Sequence, residues 1–335
     1  MGIQTFILKR AIWLIFVLIG LSVITFFISF AVPADPARYF AGPHATKEEV
    51  DALKRRYGLD LPPHEQFVNY IYRLLHGDLG RALHTRRPVI EDLAIRFPAT
   101  LELSLCSIII SVGVGVFIGI ISAVKKDTII DNVVRVFSLG GVSLPGFFLA
   151  LLFQVVFYSR LGLFPGGGRM SLDIELHHIT GLNLLDSIIT MNWPAFVSSL
   201  HYIILPSICL AYITLATIAR MTRSSMLEVL TQDYIKTARA KGLSNFKVIY
   251  KHALRNALLP TITVIGLTFG NILGGAILIE LIFRWPGLGS YVADSMLTLD
   301  FPAIMGTTLL IATVYVIVNL FVDVLYSVID PRIRV

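Results

Sequence analysis

The chain has 335 residues, of which 55% are hydrophobic and only 15% are charged. Soluble globular domains carry about 25% charged residues, so the composition excludes an ordinary soluble domain and indicates a surface that mostly faces lipid. The net charge of +6 does not indicate a nucleic-acid partner, because in a membrane chain the positions of Lys and Arg matter more than their sum.

Six apolar windows have the length, or nearly the length, of the roughly 20 residues that cross the hydrocarbon layer of a membrane. None of them contains Asp, Glu, Lys or Arg. They are Ala11–Val32, Leu103–Val124, Val136–Ser159, Tyr202–Ala219, Asn256–Ile279 and Phe301–Val322. The sequence therefore predicts an all-α membrane protein with six transmembrane helices.

The first window follows Lys9 and Arg10 and so imitates a signal peptide. Its apolar run is too long for a typical signal sequence, and no clean A-x-A cleavage site follows it. We expect an uncleaved first helix.

Residues 33–97 are predicted to form short helices outside the membrane. Thr46 and Glu49 have the spacing of a capping box at the start of a helix. Phe67 and Ile71 belong to the apolar face of a second helix that ends near Gly77. This segment is interpreted as a small extracytoplasmic cap on the bundle, and it is compatible with a docking surface for a substrate-delivering protein.

The distribution of Lys and Arg over the short loops predicts the orientation. With the N-terminus in the cytosol, only three of these residues fall in short outer loops, namely Arg160, Arg169 and Arg284. The inner segments then hold most of the others outside residues 33–97, with a dense group between Arg220 and Arg255. Both chain ends are predicted to be cytosolic.

That basic group surrounds the stretch Asp233–Pro260, which has the pattern of helix, glycine turn, helix and span. Tyr234, Ile235 and Ala238 share one helical face, and Gly242 supplies a left-handed C-cap. Ala238 is a small residue at a position where close approach to a partner would need one. The residues alone favour equally a helix that docks in a groove of a cytosolic partner and a helix that lies on anionic lipid.

Several motifs occur in order along the chain. They are "GDLG" at Gly77–Gly80, "PATLEL" at Pro98–Leu103, "RMTRSSMLEVLTQDYIKTARAKGL" at Arg220–Leu243, "IELIFRWPGLG" at Ile279–Gly289 and "DPRIR" at Asp330–Arg334. Over nearly its whole length the chain resembles the B-type permease subunit of ABC importers of the dipeptide, oligopeptide and nickel group. Only Ala238, Gly242 and Leu254 match the general E-A-A signature of such permeases, but the B-type branch is similar to this chain in having "TARAKG" and "HALRNALLP".

The resemblance implies a type I ABC importer permease fold. Its parts would be residues 1–32 (cytosolic N-terminus and first helix), 33–97 (outer segment), 98–330 (core permease domain, with a cytosolic elbow at 223–257) and 331–335 (cytosolic tail). The elbow would hold the helix that couples the permease to an ATPase, formed by Tyr234, Ile235, Thr237, Ala238, Arg239 and Gly242. The implied partners are a second, homologous permease, two ABC ATPase subunits, an extracytoplasmic substrate-binding protein and membrane lipid.

The sequence contains no phosphate-binding motif of the form G-x-x-x-x-G-K-[ST], since "GGGR" at Gly166–Arg169 lacks the Lys. It has no H-E-x-x-H motif either. We therefore expect a transport subunit without enzymatic activity, without a metal site and without a cofactor of its own, with ATP and Mg bound by the partner ATPases.

Polar residues within apolar windows tend to face the interior of the bundle or a wet cavity. Gln154 and Asn271 are candidates either for interhelical hydrogen bonds or for the lining of the translocation path. Glu280, Trp285 and Pro286 are candidates for an outer gate or docking loop, with an interfacial anchor as the alternative for Trp285 and Pro286. Asp323 is expected to pair with a basic residue of the elbow.

These observations predict a multi-pass permease of the inner (cytoplasmic) membrane that imports dipeptides or oligopeptides. Oligosaccharides, nickel chelates and glutathione are alternative cargoes. An ion-coupled secondary transporter is the alternative class, but its usual signs, buried charges and internal repeats, are not clear in this chain.

Overall fold

The computed structural model describes residues 3–31, 35–42 and 44–329. Within these residues the chain forms thirteen α-helices and no β-strand. In chain order the helices are α1 Ile3–Ala31, α2 Pro36–Ala41, α3 Lys47–Tyr57, α4 Pro63–Leu75, α5 Val89–Val124, α6 Ile129–Ser143, α7 Gly146–Phe153, α8 Asn183–Ile189, α9 Trp193–Leu230, α10 Asp233–Ala240, α11 Leu254–Ile282, α12 Leu288–Leu297 and α13 Phe301–Ile329. Two π-helical turns, Gln154–Arg160 and Lys247–Ala253, follow α7 and precede α11.

Four helical stretches in the described residues are long and apolar enough to cross a membrane: Val89–Val124, Trp193–Leu230, Lys247–Gly274 and Phe301–Val322. A fifth crossing results if α6 and α7 form one bent span. In α1 the stretch that qualifies as apolar is the shorter Ile12–Ile28. The all-helical membrane fold is confirmed, and the predicted six crossings are reached only when α1 and the bent pair are both counted.

The third apolar window, Val136–Ser159, is not one continuous helix as the sequence predicted. The helical stretches Ile129–Gly141 and Gly146–Arg160 meet at an angle of 106°. Pro145 lacks an N–H group and disfavours a helical backbone at the residue before it. Leu144 accordingly adopts an extended conformation (φ −90°, ψ 131°), and the helix ends there.

Helices α5 and α9 are longer than the predicted spans, with 36 and 38 residues. At 1.5 Å per residue each measures more than about 50 Å, well beyond the hydrocarbon thickness, so each helix projects from the membrane. The predicted domain boundary between residues 97 and 98 lies inside α5, which passes through Pro98 without a break.

The predicted capping box at the start of α3 is present. The Thr46 N–H donates to Glu49 Oε2 at 2.9 Å, and the Glu49 N–H donates to Thr46 Oγ1 at 3.3 Å. Helix α4 contacts the end of α1 through the rings of Phe67 and Phe26, whose centroids lie 5.1 Å apart. Helix α4 therefore packs against the last turns of α1.

Helix α9 lies at the centre of the bundle and contacts α5, α6, α7, α8 and α11. Its close approach to α5 depends on Gly119, because a Cβ atom there would lie 2.7 Å from the carbonyl oxygen of Ala219. Gly115 lies one turn earlier on the same face and also contacts α9 closely, since small residues at this spacing allow helices to approach. Helices α5 and α9 therefore form a closely packed pair that runs from one end of the molecule to the other.

Candidate functional site: the elbow and the outer cleft

The elbow (residues 223–257) begins in the last turns of α9. Helix α10 starts at Asp233 and ends in a left-handed turn at Gly242, which has φ 72°. The N–H of Gly242 donates to the Arg239 carbonyl at 2.9 Å, and that of Leu243 donates to the Ala238 carbonyl at 3.4 Å. This pair of bonds is a Schellman cap, so the predicted helix, glycine turn and second helix are all present.

The apolar face of α10 packs inside this chain. Ile235 is 0% exposed and Ala238 is 7% exposed, and both belong to a cluster with Met226, Val248 and Ala253. Ala238 therefore packs within this chain, in a cluster that includes the second half of the elbow, whereas the sequence suggested a close approach to a partner. The elbow is joined rigidly to the long helices.

The opposite face of α10 is polar and exposed. Lys236 Nζ lies 2.8 Å from Asp233 Oδ1, and the Thr237 hydroxyl donates to the Asp233 carbonyl at 3.0 Å. Tyr234 is partly exposed, and its hydroxyl accepts a bond of 2.8 Å from Asn256 Nδ2. Arg239 also lies on this exposed side. These are the groups that α10 offers to a soluble partner.

The second half of the elbow has an exposed aromatic pair that sequence reasoning did not single out. Phe246 and Tyr250 are 70% and 39% exposed, and their ring centroids lie 4.6 Å apart. An α-helical spacing would place both rings on the same face as Ala253, which is fully buried. The helix here is π-helical over Lys247–Ala253, and wider turns shift the faces that an α-helical spacing predicts.

Asp131 in α6 forms a buried ionic network with α9. Its two carboxylate oxygens accept bonds from Arg223 Nε at 2.7 Å and from an Arg223 terminal nitrogen at 2.8 Å. Ser122 and Arg135 donate to the same carboxylate, whose side chain is 0% exposed. The network ties the bent helix pair to the part of α9 that leads into the elbow. The expected partner of the elbow, Asp323, has a side chain outside the described residues.

Glu280 and Trp285 lie inside the protein at the end predicted to face outside. Glu280 is 0% exposed, and its carboxylate accepts bonds from the Thr100 hydroxyl at 2.6 Å and the Ser290 N–H at 3.0 Å. Trp285 is 1% exposed and donates to the Ala99 carbonyl at 2.8 Å. Of the three residues predicted as an outer gate or docking loop, only Pro286 is exposed.

A buried ion pair lies next to Trp285. A terminal nitrogen of Arg169 lies 2.6 Å from Glu102 Oε2. The guanidinium carbon of Arg169 lies over the Trp285 ring, 5.7 Å from the ring centroid. The other oxygen of Glu102 accepts the N–H of Leu184 at 2.7 Å. We call Thr100, Glu102, Arg169, Glu280 and Trp285 the outer clamp, because they hold the loop after α7 against α5 and the end of α11.

Asp186 in α8 fixes the same loop. Burial acts to raise the pKa of this carboxyl, but bonds from the Thr180 hydroxyl and from the N–H groups of Ile179, Thr180 and Gly181 together lower the pKa below its ordinary value. The Gly181 carbonyl in turn accepts a bond of 2.8 Å from Arg169. The loop is therefore held in one shape by contacts with backbone groups.

Gln154 and Asn271, the two candidates for path lining, lie in different surroundings. Gln154 Nε2 donates to the carbonyls of Gly166 at 2.7 Å and Ile282 at 3.0 Å, and Gln154 also lines a cleft of about 820 Å³. Asn271 is exposed on α11, in a helical stripe with Leu267, Gly274 and Leu278. Gln154 thus makes the predicted kind of interhelical bond, to the end of α11, and lines a cleft. Asn271 is placed where a path or a partner chain could reach it, and lining of the path stays a prediction for both residues.

No group of three His, Cys, Asp or Glu side chains able to hold a metal ion is found in the part of the chain that the structure describes. The charged groups that come together there pair with one another or with backbone. Their arrangement holds helices and loops in place.

Comparisons with known proteins agree with this arrangement. Residues 115–335 match the family described as "Binding-protein-dependent transport system inner membrane component", and residues 3–104 match its N-terminal companion family. The chain is 46% identical over 330 residues to a probable D,D-dipeptide transport system permease protein of Escherichia coli, with 98% of this chain and 97% of the relative covered. It is 44% identical to the dipeptide transport system permease protein of the same organism, and 40% identical to the glutathione transport system permease protein of Salmonella choleraesuis, with 98% of each chain covered.

Proposed function

Since the chain belongs to the family of inner-membrane components of binding-protein-dependent transport systems, we propose that it is the permease subunit of an ABC importer for short peptides. The cargo assignment rests on relatives that cover nearly the whole chain and are named as dipeptide permeases. The glutathione permease among the relatives makes a modified tripeptide the second candidate cargo.

The proposed assembly contains a second, homologous permease, two ABC ATPase subunits and an extracytoplasmic binding protein. This chain would form one half of the path, with both termini in the cytosol. The partner ATPases would bind ATP and Mg, since this chain lacks the phosphate-binding motif. Asn271 is the polar side chain of the exposed α11 stripe, and its exposure within an apolar helix supports a path on that side of the bundle.

The elbow is proposed to transmit force from the ATPases. One observation carries this role: α10 is fixed to the long helices by Ile235 and Ala238, while its other face stays exposed and polar. A partner that moves α10 must then move α9 and α11 with it. In the proposed cycle, ATP closes the ATPases, the elbows of the two permeases approach each other, and the cavity opens outward to receive the peptide.

Substitution of Gly242 tests this function. A Cβ atom at Gly242 meets no atom within 4 Å, so a substitution there acts through the φ of 72° alone. Valine is strained at a left-handed position, whereas asparagine tolerates it. In proteoliposomes that contain the permeases, the ATPases and the binding protein, we expect Gly242→Val to lower the uptake of L-alanyl-L-alanine per ATP hydrolysed at least tenfold, and Gly242→Asn to retain most of it.

The melting temperature of each variant complex serves as the control for folding. Wild-type coupling in Gly242→Val would overturn the proposed role of the elbow. A wild-type complex that takes up a sugar or glutathione but no dipeptide would overturn the cargo assignment and leave the elbow in place.

A further inference from the structure

The outer cleft is bounded by four parts of the chain: the π-helical turn after α7, the glycine run that follows, the first half of α9 and the end of α11. Its volume of about 820 Å³ falls in the range of small-molecule sites. In the predicted orientation it opens on the outer side, where an imported peptide arrives. The roles proposed above for the elbow and for the exposed α11 stripe around Asn271 do not involve this cleft.

The glycine run gives the cleft a wall of bare peptide groups. A Cβ atom at Gly167 would collide with the carbonyl oxygen of Phe283, and one at Gly166 would lie 2.7 Å from the Tyr158 ring. The N–H of Gly168 donates to the Phe283 carbonyl at 2.9 Å. Side chains at Gly166 and Gly167 would push the run away from the Tyr158 ring and from the Phe283 carbonyl, so the wall can lie in this position only because these residues lack side chains.

Gln154 presents an acceptor to the cleft. Both of its amide partners are carbonyl oxygens, those of Gly166 and Ile282, so the amide nitrogen must face them. Its two N–H groups are then used, and only the Oε1 acceptor remains for a ligand. An N–H group of a peptide is the complementary donor.

Arg284 supplies a cation at the rim. The residues that line the cleft include Arg284 but no Asp and no Glu. The neighbouring cation, Arg169, already pairs with Glu102. Arg284 is exposed, and its left-handed backbone (φ 48°) sits next to the carbonyl that holds the glycine run. A guanidinium in this position suits a carboxylate, which it can bind through two parallel N–H groups.

We propose that the outer cleft is a peptide-binding site in which Arg284 binds the free C-terminal carboxylate and Gln154 accepts a peptide N–H. The rings of Tyr158 and Tyr202, together with Met170, would contact the side chains of the peptide. This proposal rests on the peptide import proposed above and adds a site on the permease itself, separate from the binding protein. The cleft would receive a peptide before it enters the path.

Labelling of a cysteine at the rim tests the site directly. Leu172 lines the cleft and is fully exposed, so Leu172→Cys should leave the fold unchanged. The complex of permeases and ATPases, without binding protein, is placed in nanodiscs and treated with a membrane-impermeant maleimide. The wild-type chain, with Cys106 and Cys209, gives the background. We expect L-alanyl-L-alanine at millimolar concentration to slow labelling of Leu172→Cys. Its C-terminal amide should need at least about tenfold higher concentration for the same protection, because it cannot form the charge-assisted bond between the carboxylate and Arg284.

Two further substitutions in the Leu172→Cys background identify the anchor. Arg284→Asn removes the charge but keeps a residue that tolerates the left-handed backbone. Arg284→Lys keeps the charge. We expect Arg284→Asn to abolish the difference between the peptide and its amide, and Arg284→Lys to retain part of it. Equal discrimination in Arg284→Asn and in the parent would overturn the role of Arg284.

The phosphate of a lipid headgroup is a second kind of anion that Arg284 can bind. Labelling is therefore repeated in zwitterionic and in anionic nanodiscs. Protection that follows the lipid and ignores the dipeptide would overturn the peptide site and assign the cleft to lipid. A wild-type complex that transports L-alanyl-L-alanine but shows no protection by it would overturn the site alone, whereas a complex that transports no dipeptide would overturn the proposed cargo.

Discussion

The outer clamp and the elbow use charged side chains in opposite ways. In the clamp, Glu102 and Glu280 are 5% and 0% exposed, and each carboxylate accepts bonds from groups on other segments. In α10 of the elbow the apolar residues are buried and the charged ones point outward, as with Lys236 and Asp233, which are 67% and 94% exposed. The clamp uses its charges to hold this chain together, whereas α10 keeps its charges at the surface, where a partner can reach them.

Because of this contrast, charges in the clamp should affect the stability of the fold, and charges on α10 should affect its contact with a partner. Removal of one partner of a buried pair leaves an uncompensated charge, which is strongly destabilising. Removal of an exposed charge costs the fold little, but it alters the surface that a partner meets. Substitutions at the two regions should therefore produce different phenotypes.

The largest effect is expected at the clamp. Arg169→Met leaves the Glu102 carboxylate buried without its cation, and breaking such a pair costs about 3–5 kcal/mol. The melting temperature of the purified complex should fall by several degrees. The double variant Arg169→Met with Glu102→Gln should recover much of the loss, since the neutral amide can still accept from the Leu184 N–H. A double variant no more stable than Arg169→Met would contradict the importance of the buried charge.

A smaller effect is expected at the buried face of the elbow. Ile235 is fully buried, and Ile→Ala substitutions in a core cost about 2–5 kcal/mol. We expect Ile235→Ala to speed hydrogen exchange in residues 233–255 and to lower peptide uptake per ATP, while exchange at the clamp is unchanged. Lys236→Ala, on the exposed side of the same helix, is the matched control for hydrogen exchange. Faster exchange at the clamp as well would show that the two regions do not respond separately.

The smallest effect on stability is expected at the exposed face of the elbow. Arg239→Ala removes an exposed charge with no carboxylate partner among the described residues, so the melting temperature of the isolated chain should stay within the error of wild type. Its association with the ATPase subunits, measured by co-purification at increasing salt, should weaken. A loss of stability as large as that of Ile235→Ala would show that Arg239 is not a surface residue of the elbow.

Local patterns predicted much of the fold because their causes are local. The capping box at Thr46 and the left-handed turn at Gly242 each depend on residues within one helical turn. Prediction was wrong for the helix at Val136–Ser159, although Pro145 is a local signal. Hydropathy alone did not separate that proline from Pro206 and Pro260, which lie inside continuous helices.

The candidate site also has features that the local sequence predicts and features that depend on packing. The sequence identified the elbow and its order of helix, turn and helix, but it did not show that Ala238 packs inside this chain. It named Glu280 and Trp285 as candidates for an outer gate or docking loop, and it did not show that both are buried among their hydrogen-bond partners. A helical spacing shows which residues share a face, but it does not show which element covers that face.

The sequence by itself determined that the chain is a helical membrane protein, and its motifs indicated the transporter family. Apolar length, charge position and turn residues act over short distances, and they need no knowledge of neighbours in space. Only the tertiary structure decided which charges are buried, because Arg169 and Glu102 are 67 positions apart and Arg223 and Asp131 are 92 apart. The outer cleft likewise exists because a glycine run, a π-helical turn and the end of α11 meet, and such a meeting depends on how the helices pack.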